Sequence, residues 1–242
     1  MPSLHPYLSG LSSAERVRFA LAYPFDCPDT SWCLADGEIR PFDDRAAAAA
    51  AEPGRHAVIA CGSNGAPAQI LRKFGPTGGT VPTIRARLAD FATVHAAKFT
   101  AYGSMPATLI RQEGAFTTVF VNLLDEAQLE RMHRTEALGV EYVFEGLKGL
   151  ALTLETGGRL AAAASYLSLA GAFSPDDAPL ALTAVPQEGP LPRASQEEAQ
   201  RLAMACLRED GPLEAFIAAN QTDPELRAAR IARLRAYAIP AR

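Results

Sequence analysis

The sequence predicts an α+β chain organised around a mostly antiparallel sheet or small barrel. Three observations carry this. From His56 onward, short β-like segments recur at Thr93–Ala101, Ala107–Arg111, Thr117–Leu124, Tyr142–Glu145, Leu150–Glu155 and Ala163–Leu169. Turn residues such as "QEGA" and "ETGGR" separate them, the spacing of meandering strands rather than of strand–helix–strand units. Two helices are announced by capping boxes, Asp125 with Gln128 and Ser195 with Glu198, where a short polar side chain and a residue three positions on bind each other's backbone N–H.

Taken in order, residues 1–55 read as an N-terminal extension. "SSAERVRFALA" is a short helix opened by Ser12 or Ser13, and "YPFDCPDTSW" is turn-rich. "DDRAAAAAAEPG" holds strong helix formers stopped by Pro53-Gly54. "HAVIA" is a buried strand that runs into the glycine turn "CGSNG" and then a helix, "AQILRKF". "GPTGGTVP" is a loop. Residues 56–200 form the main domain. Residues 201–242 form a helical C-terminal segment packed on it, with a break near Thr222-Asp223-Pro224. Those last helices either cap a pocket or form a homodimer surface.

Composition excludes several functions. The 23 Lys and Arg against 27 Asp and Glu give a net charge of -4, with no basic cluster for nucleic acid. No apolar run is long enough to span a membrane, and the N-terminus does not read as a secretory signal. Four scattered cysteines (Cys27, Cys33, Cys61, Cys206) form no CxxC pair, so neither a disulfide framework nor a zinc site is expected, and the default location is cytoplasmic.

One carboxylate stands out. Leu129, Met132 and position 136 share a helix face at i, i+3 and i+7, and the residue at 136 is Glu136. Glu126, Glu130, Arg131 and Arg134 take the solvated face. A carboxylate on the apolar stripe near a helix C-terminus is expected to have a raised pKa, which suits a general acid/base near neutral pH. The alternative is that the helix has ended by Thr135 and Glu136 points to water.

The "CGSNG" turn offers backbone N–H groups with little side-chain bulk ahead of a helix, an arrangement that cradles anions. It lacks the Lys-Ser/Thr of a phosphate loop and the G-x-G-x-x-G of a dinucleotide site. It is either a plain tight turn or a holder for a carboxylate or carbonyl oxygen. Cys61, at a strand end before a helix, also opens a thiol-hydrolase reading with His56, His95 or His133 as partner. His133 is expected at the surface, and His95 as a strand residue.

Taken together, "IACGSNGAPAQILRKF", "YGSMPATLIRQEGAFTTVFVNL", "LLDEAQLERMHRTEALGVEY", "AAAASYLSL" and "PLALTAVPQEGPLPRASQEE" resemble, in order, the segments of the γ-glutamylcyclotransferase-like family. The resemblance covers roughly residues 57–200. It implies a small, mostly antiparallel β-barrel with flanking helices, and an intramolecular aminolysis. The free α-amine of a γ-glutamyl amide attacks its own γ-carbonyl, giving 5-oxoproline and a free amine or amino acid. It implies Glu136 as the catalytic acid/base and the loop Cys61, Gly62, Ser63, Asn64 and Gly65 as substrate-binding; Tyr102 is added to the substrate-binding set from its place on the hairpin. The backbone N–H groups of Gly62, Ser63 and Asn64 would face substrate oxygens. No cofactor or metal is implied, and the partner is a small-molecule substrate with a γ-glutamyl or similar amide. The alternative is a non-catalytic metabolite-binding protein of the same fold. Cys61 stands where the family usually has Tyr, Gly65 where Leu is common, and Thr135 where a bulky residue often precedes the glutamate. "AYGS" at 101–104 copies the loop motif, but no helix is expected after it, which leaves Tyr102 on a hairpin facing the cavity.

Overall fold

The computed structural model describes residues 4–241; Met1–Ser3 and Arg242, the tips of the expected extension and C-terminal segment, lie outside them. The chain opens with helix α1 (Ser13–Leu21), strands β1 (Trp32–Ala35) and β2 (Glu38–Pro41), helix α2 (Asp44–Ala50) and strand β3 (His56–Ala60). Helix α3 (Pro67–Phe74) follows the glycine turn. Two long strands come next, β4 (Val81–His95) and β5 (Ala107–Leu124), then helix α4 (Glu126–Thr135) and strands β6 (Tyr142–Leu154) and β7 (Arg159–Ser168).

Five of these strands close into a barrel in the order β5-β3-β7-β6-β4, with β4 pairing back onto β5. Every pairing in it is antiparallel except β3 with β7. The fold class is therefore α+β with a closed, mostly antiparallel barrel, as the spacing of strands and turns predicts. Ile59, Leu88, Leu109, Val121, Leu152 and Leu167 fill its interior. Burying each such side chain contributes about 1.5–3 kcal/mol.

The strands are longer than their sequence signals. Ala107–Arg111 and Thr117–Leu124 are one strand, because "QEGA" is a bulged bend and not a turn. Asp90, with φ of 59°, interrupts the β4 register between Ala89 and Phe91. Opposite it, Gly114 takes φ of 73° and donates its N–H to Asp90 Oδ1 at 2.9 Å. The matched irregularity bends both strands without ending either. Tyr142–Glu145 and Leu150–Glu155 likewise fuse into β6 across a register shift. The segment placed at Thr93–Ala101 begins earlier, at Val81, and ends at His95.

The extension is not wholly separate from the sheet. β1 pairs with β4, Trp32 opposite Thr83, and carries β2 at the sheet edge. The hairpin turns on Asp36-Gly37, both with positive φ.

Beyond the barrel lie four short strands, β8 (Ala172–Phe173), β9 (Ala181–Leu182), β10 (Gln187–Glu188) and β11 (Arg193–Ala194). Helices α5 (Gln196–Leu207), α6 (Leu213–Thr222) and α7 (Pro224–Leu234) and strand β12 (Ala238–Ile239) complete the chain. The expected capping boxes at Asp125–Gln128 and Ser195–Glu198 form, Ser12 caps α1 in a further box with Glu15, and the chain breaks between α6 and α7 at Asp223-Pro224 as the sequence predicts. The C-terminal helices build a second core with α1 and the 97–105 segment, burying Phe99, Met105, Phe216 and Ile217. That places α7 over one end of the barrel, beside the site.

Candidate functional site

α4 delivers Glu136 into the interior. Leu129 and Met132 are buried on its inner face. The helix does end at Thr135, and Glu136 is its C-cap, with its N–H still bonded to Met132 O at 3.0 Å. Its side chain nevertheless points inward and is 13% exposed. Helix end and burial thus coexist, because the cap residue keeps the phase of the stripe.

The carboxylate is not free. The Asn64 side-chain amide donates to Glu136 Oε1 at 3.0 Å, and the Lys73 ammonium, itself 8% exposed, pairs with the same oxygen. Burial pushes the carboxyl up, but Lys73, the Asn64 hydrogen bond and the field of Lys98 outweigh it, leaving the group below its ordinary value. This corrects the expectation of a raised pKa: the stripe that buries Glu136 also faces a buried cation.

Lys73 is the residue sequence reasoning missed. It lies on α3, whose buried face is Gln69, Ile70, Lys73 and Phe74. A lysine in phase with an apolar stripe is the same signal that singled out Glu136.

A cavity of about 410 Å³ opens beside the pair. Ser63, Lys73, Tyr102 and Glu136 line it, with Lys98, Glu141 and Tyr142. Lys98 is 5% exposed, pairs with Glu141 and lies 4.9 Å from the Tyr142 ring centre. Burial, eased by Glu136 and reinforced by Arg227, holds its ammonium down to about 8. Segments outside the barrel close the cavity: His5 and Tyr7 from the N-terminus, and Arg227 and Ile231 from α7. Tyr102 sits in an aromatic cluster, its ring centre 5.6 Å from His5 and 5.8 Å from Phe19. The "AYGS" turn precedes a strand and not a helix, and Tyr102 faces the cavity from it.

The glycine turn is split between two sides. Ser63 reaches the cavity and Asn64 reaches Glu136. Cys61 and Gly62 line a separate, mostly apolar hollow of about 160 Å³ with Phe25 and Phe120. Gly65 packs on Phe120, where an added Cβ would come within 2.6 Å of the ring. A Cβ on Gly62 would meet the Tyr23 hydroxyl at 2.2 Å. That hydroxyl accepts the Ala107 N–H at 2.8 Å, and the Ser63 backbone also addresses it. Gly65 and Ala66 spend their N–H groups on Gly62 O and Ser63 O. Tyr23, from the extension, thus brings a phenol to a turn whose own residue 61 is cysteine.

The thiol reading fails on burial, which pushes the Cys61 thiol up to about 12. The three histidines are engaged elsewhere. His56 contacts Glu126 at 2.9 Å, and His95 is fully buried with Nε2 on Ala194 O at 3.0 Å. His133 is half-buried and not a surface residue, its Nδ1 2.7 Å from the Tyr166 hydroxyl. Among the described residues no group of three or more His, Cys, Asp or Glu is arranged to hold a metal ion, and no helix is long and apolar enough to cross a membrane.

No family model matches the chain, and no curated protein matches it. Among solved structures it is similar to a gamma-glutamyl cyclotransferase at 16% identity, covering 68% of this chain and 87% of that one, with a TM-score of 0.39. It is also similar to the solution structure of an Arabidopsis thaliana protein at 18% identity, covering 50% of this chain and 72% of that one, with a TM-score of 0.39. An uncharacterized Homo sapiens protein matches at 17% identity, covering 69% and 88%, with a TM-score of 0.37. Overlaps this loose carry no argument about chemistry, which must come from the residues of the cavity.

Proposed function

We propose that the chain is a γ-glutamylcyclotransferase-like enzyme, converting a γ-glutamyl amide into 5-oxoproline and a free amine or amino acid. The observation that carries this is the buried Glu136 carboxylate, tied to the glycine turn through Asn64 at the wall of a dipeptide-sized cavity.

In the reaction the substrate α-nitrogen forms a C–N bond to its own γ-carbonyl carbon, and the amide C–N bond to the leaving group breaks. On going from ammonium to lactam the α-nitrogen gives up two protons; relayed one at a time through Glu136, both end on the leaving nitrogen, which departs as an ammonium, so the enzyme ends unchanged. The step is intramolecular, and a cavity that holds the glutamyl chain curled supplies much of the rate. The Lys73 pair shapes the acid/base role. It keeps Glu136 ionised at neutral pH, ready to face an ammonium, and makes the protonated carboxyl a strong acid toward the leaving amine. Residues 1–55 and 201–242 belong to the working unit, since Tyr23 supports the turn and both segments help line the cavity. Four unpaired cysteines support a reducing, cytoplasmic setting.

A second reading is favoured by one observation. Lys73 already sits against Glu136, the place a substrate ammonium would need. If Lys73 holds that place permanently, the cavity binds a small metabolite without turnover. Release of 5-oxoproline over a panel of γ-glutamyl amines and amino acids, with Glu136→Gln alongside, separates the two. Release that vanishes in the variant while binding persists supports the enzyme. Absence of release from a folded wild type, with a change of affinity only in the variant, supports the binding protein.

A further inference from the structure

The barrel seam between β4 and β6 is only partly closed. Their pairing runs from Ala86 opposite Leu154 to Leu88 opposite Leu152 and stops there. The bulge at Asp90 follows at once. Past it, β4 spends its edge on other partners: the Gln187 side chain takes the Thr93 N–H and C=O, and the His95 N–H goes to Leu180 O. Residues 143–148 of β6 keep β7 on one edge and have no strand opposite the other among the described residues. A cavity of about 600 Å³ opens in this gap, and it shares no lining residue with the cavity at Glu136.

Two opposite charges face this gap, one from each side of the seam. Arg111 stands opposite Phe91 in the β5–β4 register, two residues on from Leu109, so it keeps the inward phase of that stripe. Its guanidinium lies 4.8 Å from the Phe91 ring centre. Glu145 lies between Val143 and Leu147, which both pack on the barrel core, and opposite the fully buried Ser165. Both charges line the cavity. Neither has an opposite charge within 4.0 Å among the described residues, so they do not pair with each other. Buried Phe91, Leu109 and Leu167 form an apolar floor with Leu147. Lys148, three residues from Glu145 and so on the other face of β6, is exposed at the mouth.

We propose that this slot is a second binding site, for a small zwitterion with an apolar body, the chemistry of a free amino acid with an apolar side chain. An apolar floor alone would accept any greasy solute. Two unpaired, opposite charges on facing strands add a demand for both ends. A carboxylate accepts from the Arg111 guanidinium, an ammonium donates to Glu145, and the side chain covers the floor. An acid without an amine would cover Glu145 and leave it unpartnered, and an amine without an acid would do the same to Arg111. The site is independent of the cyclotransferase reading, since neither charge lines the cavity of Glu136.

The test is calorimetric binding of phenylalanine, of phenylalaninamide, which lacks the carboxylate, and of hydrocinnamate, which lacks the amine. The proteins are the full chain, Arg111→Met and Glu145→Gln. Arg111 is exposed and Glu145 half-buried, so both variants are expected to fold. The wild type is expected to prefer phenylalanine over each analogue by at least about tenfold, as one charge-assisted contact implies. Arg111→Met should bring phenylalanine down to the amide without weakening the amide. Glu145→Gln should bring it down to hydrocinnamate without weakening hydrocinnamate. No binding of phenylalanine to the wild type, or equal affinity for all three compounds, would overturn the proposal. So would a preference that neither variant changes, which would place the ligand elsewhere on the chain.

Discussion

The Lys73 ammonium is buried against the Glu136 carboxylate, and α3 and α4 each place one of them on an apolar stripe. A pair at 8% and 13% exposure is coupled strongly, because little water screens it.

Lys73→Met is expected to cost about 3–5 kcal/mol, since it leaves a buried charge uncompensated. The double variant with Glu136→Gln should recover part of that loss. The pH dependence has opposite signs in the two proteins. In the wild type the folded carboxyl lies below its ordinary value, so its stabilisation is present above pH of about 4.3 and is lost as pH falls through the folded pKa. Without Lys73, burial carries the carboxyl above its unfolded value, and stability should instead fall as pH rises past about 4.3. Urea midpoints between pH 3 and 8 measure both slopes. Parallel profiles would show that the pair does not govern Glu136.

Gly62 and Tyr23 should be coupled. Gly62→Ala drives a methyl to 2.2 Å from the Tyr23 hydroxyl and 3.0 Å from the Ala107 Cβ, which the turn relieves only by shifting. Overpacking of this kind costs about 1–3 kcal/mol. Tyr23→Phe removes the hydroxyl but strands the Ala107 N–H, at about 1–3 kcal/mol. The double variant is expected to lose less than the sum, since the phenyl edge leaves room for the methyl. Chemical denaturation of the four proteins gives the coupling, and strict additivity would mean that the two groups do not meet.

Where local chemistry decides the structure, the sequence shows it. Two capping boxes, the N-cap at Ser12 and the Asp223-Pro224 break form where the residues place them, because each depends on side chains within three positions. The continuity of β5 is hidden because Gly114 and its polar neighbours look like a turn; only the partner strand, with Asp90 at the matching bulge, turns the bend into a strand. The β1–β2 hairpin carried a readable Asp36-Gly37 signal that its four-residue strands obscured. In the site, periodicity within one helix finds Glu136. It cannot find Asn64, Lys73 or Arg227 as its surroundings, since those come from three other stretches of chain.

His95 makes the fold acid-sensitive through a second group. It is fully buried, with Nε2 donating to Ala194 O at 3.0 Å and Nδ1 without a partner. Burial pushes its imidazole down to about 4. The unfolded chain binds a proton there near pH 6.5 and the folded chain does not, so stability should decline as pH falls from about 6.5 toward about 4. The slope from this group approaches about 1.4 kcal/mol per pH unit. His95→Gln should flatten that window and leave the Glu136 effect, which lies lower, in place. An unchanged slope between pH 4 and 6.5 would assign the acid sensitivity to another group.

Cys61 should be inert while the chain is folded. It is 8% exposed, and burial raises its thiol to about 12; Cys33, 2% exposed, is raised to about 11. At pH 8 both are protonated and covered, so iodoacetamide should reach them only through opening of the fold. Cys206, half-buried on α5, should be alkylated before either. Peptide mass spectrometry over time gives the order. Gly62→Ala should speed labelling of Cys61 more than that of Cys33, because the clash with Tyr23 loosens the turn that follows residue 61 while Cys33 lies in β1. Rapid labelling of Cys61 in the native wild type would place a reactive thiolate at the turn and revive the thiol-based chemistry that its burial excludes.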